Sequence, residues 1–337
     1  MQASNAVSVS DKVTFLRSPE AYRPAPRRVD VIETHWSWVF LADERVFKLK
    51  KPVSSQNFDF TALDAREVNC RSEVRLNQRL AGDVYEGVAT LNLDLDGNLA
   101  INGNGETVDW LVVMRRLPAE RMLDRLISLS SFDEPQLEQL ASTLAVFYAA
   151  QPPCTVTCET YLGNFRREQE TNRIVLSGCG GNEKYGATLD RFESAFTAVV
   201  PLLEERVQAG RIIDGHGDLR PEHICVNDPI VIFDCLEFSD ALRRVDPVDE
   251  LAFLGLECRM LGADWIGAKL MELVLAKLDQ HASGDLIAFY TAFRALLRAR
   301  LSLAHLLDKH PRDPEKWAPQ TARYVAAADA ALLSLGF

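Results

Sequence analysis

The sequence has no run of eighteen apolar residues, and its first thirty (MQASNAVSVSDKVTFLRSPEAYRPAPRRVD) contain no continuous apolar segment preceded by positive charge. These absences argue against membrane insertion and secretion and leave the cytoplasm as the expected compartment. Basic residues are in deficit: 37 Lys and Arg stand against 48 Asp and Glu, a net charge of −11. Phosphate backbones and anionic bilayers are bound by basic surfaces, so neither nucleic acid nor membrane is expected as the main partner. No G-x-x-x-x-G-K-[ST] stretch occurs, which removes the P-loop as a phosphate cradle, and no internal repeat is visible. The seven cysteines are odd in number and irregularly spaced, the pattern of reduced, mostly buried thiols. Cys154, Cys158 and Cys179 lack a matching second pair and make a poor zinc site.

What is present describes an ordinary globular protein. With 337 residues, 47% of them apolar and 25% charged, the chain buries a substantial core and forms one large or two smaller domains. Its acidity suits a cationic substrate, although acidity also serves solubility alone.

One stretch, residues 212–240, organises the reading: IIDGHGDLRPEHICVNDPIVIFDCLEFSD. A polar loop holding Asp214, His216, Asp218, Arg220, Glu222 and His223 is followed by a short apolar run that delivers Asp234. Phosphoryl transfer from a nucleotide needs one carboxylate to orient or deprotonate the attacking hydroxyl and another to hold the metal bridging the phosphates. Asp218 and Asp234 are the candidates for these roles. Either one alone reads as a turn residue capping its own backbone; the combination of charged loop, short strand and second Asp points to chemistry.

HGDLRPEH resembles the catalytic loop of the protein-kinase-like fold, and the HGD variant is that of the aminoglycoside phosphotransferase-like branch, alongside choline and fructosamine kinases. The continuation FDCLEF and RRVDPVDELAFL is similar to a bacterial subgroup often fused to a P-loop ATPase, a half expected to be missing here. The resemblance makes Asp218 the catalytic base and Asp234 the metal-binding Asp, and puts Arg220 where many kinases carry a Lys facing the transferring phosphate. It places a metal-binding Asn at the position of His223. Imidazole is a poor magnesium ligand, so Glu222 or Glu237 supplies the oxygen, or manganese is tolerated, or the second metal site is lost.

Upstream, VDVIET, SWVFLA and RVFKLK read as short strands, the last two joined by a tight turn at Asp43 and Glu44. Alternation puts Val46, Lys48 and Lys50 on one face. A strand lysine facing a nucleotide contacts its phosphates; Lys48 fits the family pattern best, Lys50 is the runner-up, and a solvated edge strand is the plain alternative. No glycine-rich loop precedes it; ETHWSW occupies the place, with Thr34, His35 and Ser37 as donors and Trp36 and Trp38 as packing residues. A helix is predicted over 60–80 with Leu63, Val68, Val74, Leu76 and Leu80 as its apolar stripe. In it Glu73 matches the glutamate that pairs with the strand lysine, and Glu67 competes.

A hairpin at Asp96–Gly97 and a strand over 109–118 follow, with hinge candidates at 114–117. Beyond lie helices with a leucine stripe (Leu296, Leu297, Leu301, Leu303, Leu307), and His281, His305 and His310 read as structural or solvated. Asp246, Pro247 and Gly262 mark a helix start and stop, and the resemblance adds that an Asp here braces the catalytic loop.

The expected architecture is therefore α+β and bilobal: an arm over 1–28, a small antiparallel β-sheet lobe with one main helix over 29–115, and a mostly α-helical lobe over 116–337 holding the catalytic loop 214–223 and the metal-binding turn 234–238. The resemblance implies an ATP-dependent kinase using Mg2+ or Mn2+ on a small hydroxyl-bearing substrate. The alternative, supported by His223 and by the missing glycine-rich loop, is a catalytically weak nucleotide-binding pseudokinase serving as a regulatory or partner-binding module.

Overall fold

A computed structural model describes residues 7–55, 58–178, 182–307 and 313–337. Cys179, His310 and the first six residues of the expected arm lie outside the described residues. The chain divides into two compact units: one runs to Met122 and adds His223–Ala241, and the other holds Leu123–Glu222 and Leu242–Phe337.

In the first unit, helix α1 (Val9–Arg17) precedes strands β1 (Val29–Glu33), β2 (Ser37–Ala42) and β3 (Arg45–Lys50). The β2–β3 turn closes as its two residues predict, with Asp43 in the left-handed region at φ 49°. A two-residue hairpin, β4 (Ser54–Ser55) and β5 (Phe58–Asp59), leads to helix α2 (Leu63–Ala81). Gly82 then ends that helix at φ 51°, where a side chain is strained. Strands β6 (Tyr85–Leu93), β7 (Leu99–Ile101) and β8 (Glu106–Arg115) complete an antiparallel sheet of order β1-β2-β3-β8-β6-β7.

Strand alternation sorts the two faces of the sheet. Phe40, Phe47, Leu49, Ala89 and Leu111 pack with Leu16 and Tyr22 of the N-terminal segment. Val112, the neighbour of Leu111, turns to the opposite face with Cys70, Val84 and Tyr85. The segment read as an arm is thus part of the fold. Lys12 of α1, 6% exposed, donates to Asp109 Oδ2 at 2.8 Å and to the Val108 carbonyl at 2.7 Å, and Arg66 of α2 clasps both oxygens of the same Asp109.

The hairpin β10 (Ile224–Cys225) and β11 (Val231–Ile232) belongs to this unit, because Cys225 and Val231 are buried in the core beneath α2. The expected division at 115/116, with the turn 234–238 in the larger part, differs from this one. A short hairpin returning under the sheet carries its turn with it, and sequence order does not reveal such a return.

The second unit is helical: α3 (Leu123–Ser128), α4 (Glu134–Ala150), α5 (Cys158–Gly178), α6 (Asn182–Gln208), α8 (Pro247–Met260), α9 (Asp264–Leu278), α10 (Gly284–Ala304) and α11 (Pro314–Ser334), with a two-stranded ladder of β9 (Ile213–Asp214) and β12 (Arg244–Val245). A single-turn helix, α7 (Asp240–Arg243), enters it. Helix α8 is buried from Pro247 to Cys258, as its apolar character on every side requires. It crosses α9 at Gly255 and Gly267, where a Cβ on Gly255 would lie 2.9 Å from the Gly267 Cα. Tyr161, Phe165, Phe192, Phe289 and Phe293 fill the space between α5, α6 and α10.

One feature of the predicted helices changes. Leu301 and Leu307 of the expected leucine stripe are 44% and 59% exposed, because α10 spends its inner face on Phe289, Tyr290, Phe293 and Arg294. As expected of solvated and structural residues, His281 is exposed and His305 stacks on Trp317 at 4.0 Å.

Asp246 caps α8 by accepting from Val248 N–H at 2.9 Å, as the sequence predicts. It also takes both arms of Arg206, at 2.6 and 2.8 Å, and the Tyr290 hydroxyl at 3.2 Å, with no exposed surface of its own. Removing one member of a buried pair strands the other charge. Arg206→Met is expected to cost about 3–5 kcal/mol, read as a lowered urea midpoint. Arg173→Met is the control: its partners Asp190 and Glu193 are 71% and 54% exposed, and its loss should cost less than about 1 kcal/mol.

Candidate functional site

Within the first unit the side chains of Lys48 and Lys50 leave the same face of β3, as alternation requires. Lys48 Nζ lies 2.9 Å from Glu73 Oε1 and 2.8 Å from Asp234 Oδ1. Lys50 Nζ lies 2.5 Å from Glu237 Oε1 and forms an ion pair with the second oxygen of Glu73. The side chains of Glu73, Lys50, Glu237 and Lys48 are 0, 2, 9 and 14% exposed, whereas that of Asp234 is 41% exposed. Five charges therefore alternate in sign in a continuous line, and only its Asp234 end is open to solvent.

The line fixes protonation states. Burial opposes the charge on Lys48, but the carboxylates of Asp234, Glu73 and Glu237 outweigh it and hold the ammonium well above its ordinary range. Burial also opposes charge on Glu73, and Lys48 and Lys50 together hold that carboxyl below its usual value. The same balance acts at Asp234, where Lys48 and His223 overcome desolvation and keep the carboxylate ionised.

Three further contacts shape the turn carrying Asp234. Its φ of 60° lies in the left-handed region, which Asp tolerates better than most residues. Its N–H donates to the Tyr85 hydroxyl at 3.3 Å, and the N–H of Cys235 donates to Asn77 Oδ1 at 2.8 Å. His223 is 6% exposed with Nε2 3.6 Å from Asp234 Oδ2. Among the described residues no three His, Cys, Asp or Glu side chains are gathered to hold a metal ion. One open, ionised carboxylate matches a hard divalent cation whose other ligands are phosphate oxygens and water; the imidazole of His223 does not.

The loop 214–223 begins in the second unit. Asp218 Oδ2 accepts from Arg220 Nε at 3.1 Å, and Arg220 Nη1 lies 2.6 Å from Glu222 Oε1. The Asp218 N–H donates to His216 Nδ1 at 3.3 Å, and His216 is 1% exposed. Beneath the loop, Glu250 of α8 accepts from Gly217 N–H at 2.5 Å and from the Tyr148 hydroxyl at 3.1 Å. A Cβ on Gly215 would meet Glu250 at 2.9 Å. Asp246, the residue expected to brace this loop, instead binds Arg206, and Glu250 takes the bracing position.

No protein-family model matches the chain. Uncharacterized proteins of Mycobacterium tuberculosis and Mycobacterium bovis are 32% identical to it over 289 residues. The match covers 84% of this chain and 56% of theirs, so the chain spans about half the length of the curated relatives it matches. The structure of an aminoglycoside phosphotransferase, APH(2″)-IIIa, in complex with GDP and kanamycin, superposes with a TM-score of 0.60 at 14% identity, covering 95% of this chain and 98% of that one. The choline kinase LicA of Streptococcus pneumoniae superposes with a TM-score of 0.55 at 13% identity, covering 97% and 100%. The chain has the aminoglycoside phosphotransferase fold.

On this protein-kinase-like fold, the structure gathers Lys48, Glu73, Asp234 and His223, and sets Asp218 beside Arg220. The residues in the two choices that sequence leaves open differ in their contacts. Glu67 pairs with Arg71 one turn along the outside of α2, so Glu73 is the inward glutamate. Both lysines share Glu73, but Lys48, 14% exposed, reaches Asp234, whereas Lys50, 2% exposed, turns to Glu237. Glu222 and Glu237, the two oxygen donors considered for a metal, are each ion-paired, to Arg220 and to Lys50. Sequence reasoning missed Tyr85, Asn77 and Glu250. For Glu250 a signal existed: an acid inside DELAFLGLEC, a helix apolar on every side, must face a buried partner.

Burial pushes the Glu250 carboxyl up to about 7, against the lowering by the Gly217 N–H. The native state therefore holds a proton that the unfolded chain has lost, and this group's contribution to stability falls as pH rises from about 4.5 to about 7. Glu250→Gln is expected to flatten that fall. Urea midpoints of both proteins from about pH 5 to about pH 8 check it; parallel curves refute the assignment.

Proposed function

We propose that this chain is an ATP-dependent phosphotransferase whose acceptor is a hydroxyl group of a small molecule. The observation that carries the reading is the ammonium of Lys48, held by a wholly buried glutamate on α2 and by an ionised aspartate on a left-handed turn. A lysine so restrained is preorganised for nucleotide phosphates, and preorganised charge is the main source of rate in phosphoryl transfer. Structures of this fold include a GDP and kanamycin complex and an ADP-bound aminoglycoside phosphotransferase, which supports a nucleotide donor.

In this reading Lys48 binds the phosphates, and Glu73 keeps it charged and aimed. Asp234 would hold the Mg2+ or Mn2+ that offsets charge on the phosphates when nucleotide binds. Asp218 orients the acceptor hydroxyl and takes its proton. Arg220, now paired with Asp218 and Glu222, neutralises charge on the group in transfer. His223 lies against Asp234 as an outer neighbour of the metal position.

A second reading, a nucleotide-binding pseudokinase acting on a protein partner, is favoured by one observation: His223 stands where the resemblance puts a metal-binding Asn. Nucleotide binding and ADP release across a panel of small alcohols, with magnesium and with manganese, decide between the two. Asp218→Asn is expected to lower turnover by about 10²–10⁴-fold while nucleotide affinity holds. Tight nucleotide binding without Asp218-dependent turnover favours the pseudokinase. Failure to bind ATP or GTP overturns both.

A further inference from the structure

Lys50 has no counterpart in the roles above, yet it is the most enclosed cation of the charge line. At 2% exposure its Nζ reaches Glu237 at 2.5 Å, pairs with Glu73, and lies 6.0 Å from the centre of the Phe60 ring. It is too enclosed to meet a ligand. Its two carboxylates, however, belong to the two structures on which a nucleotide site depends: Glu73 is the partner of Lys48, and Glu237 stands three residues after Asp234.

Resting on the nucleotide-site reading, we propose that Lys50 is a positioning residue with two effects. It holds the turn of Asp234 through Glu237, and it keeps Glu73 paired while Lys48 is drawn from Asp234 toward phosphate. The first effect follows from the anchors. Asn77 and Tyr85 fix the turn through its backbone N–H groups at residues 235 and 234, and the Lys50–Glu237 pair adds a buried side-chain tie at residue 237. The second follows from burial. Glu73 has no exposed surface, and a buried carboxylate that loses its only cation is strongly disfavoured. With Lys50 in place, Glu73 is paired wherever Lys48 points, so Asp234 is released to a cation without stranding a charge behind it.

Outer partners of this kind typically matter about 10- to 100-fold in metal affinity. The test is calorimetric binding of a non-hydrolysable ATP analogue, with magnesium and with chelator, together with the melting temperature of the ligand-free protein. The variants are Lys50→Met, Glu237→Gln and the double substitution. Each single variant is expected to lose about 10- to 100-fold of the magnesium-dependent gain in affinity and to keep the metal-free affinity. The double variant, with no unpaired charge left at Glu237 but Glu73 still short of its second cation, should recover part of the melting temperature lost by Lys50→Met but not the magnesium-dependent gain. Recovery of that gain along with melting temperature, or its retention in the single variants, overturns the inference and leaves a merely structural pair. Should Lys50→Met fail to fold, Glu237→Gln carries the test, since Lys50 then retains Glu73. Wild-type protein that binds no nucleotide in either condition overturns the phosphotransferase reading and this inference together.

Discussion

Glu73 has no surface in contact with water, and its ionisation is the constraint from which the first unit is arranged. A carboxylate in that position is tolerable only with cations against both oxygens. Those cations must come from a neighbouring element, and β3 supplies them by placing lysines two residues apart on one face. Two lysines so close then need further anions, which Asp234 and Glu237 provide from a single turn. Each requirement generates the next. The line ends at Asp234 because there the last charge reaches solvent, with 41% of its side chain exposed. The line thus carries three negative charges against two positive ones, and its exposed member is a carboxylate.

The second unit solves a similar problem differently. Asp246, Asp249 and Glu250 begin α8, a helix buried on all sides. Acids at a helix start are favoured by the dipole, but burial makes each depend on its own partner. Asp246 has Arg206 and Asp249 has a bidentate Arg294 at 2.7 Å to each oxygen. Glu250 has no cation in direct contact and is served by Gly217 N–H and Tyr148 instead. The loop containing Asp218 is thus seated on the one acid of the three that has no cation against it among the described residues.

Much of this was legible in the residues. The motif at 214–223, the Asp after the following strand, the alternation in RVFKLK and the cap at Asp246 all rest on local rules, and local rules survive folding. The stripe assigned to α2 survives in part: Leu76 is buried and Val74 packs against the core, but Val68 is 66% exposed. The inward face of that helix is Arg66, Cys70, Glu73 and Asn77, spaced four, three and four apart as a buried face should be. Hydrophobic periodicity cannot find a face whose residues are polar because they hold other elements in place. Here the apolar pattern gives way where Arg66, Glu73 and Asn77 take the buried face.

The same face accounts for the N-terminal helix. Arg66 lies seven residues, about two turns, before Glu73, and its guanidinium shares Asp109 with Lys12 of α1. The carboxylate of Asp109, 2% exposed, thereby ties three elements: the strand that bears it, the helix that bears Glu73 and the segment that precedes the sheet. At the other end of that helix Asn77 holds the Asp234 turn. Helix α2 is therefore fixed along its length by directional polar contacts, each satisfied at one position and orientation, where an apolar face would tolerate sliding by repacking. For a helix whose task is to hold one carboxylate between two ammonium groups within hydrogen-bond distance, that intolerance is the useful property.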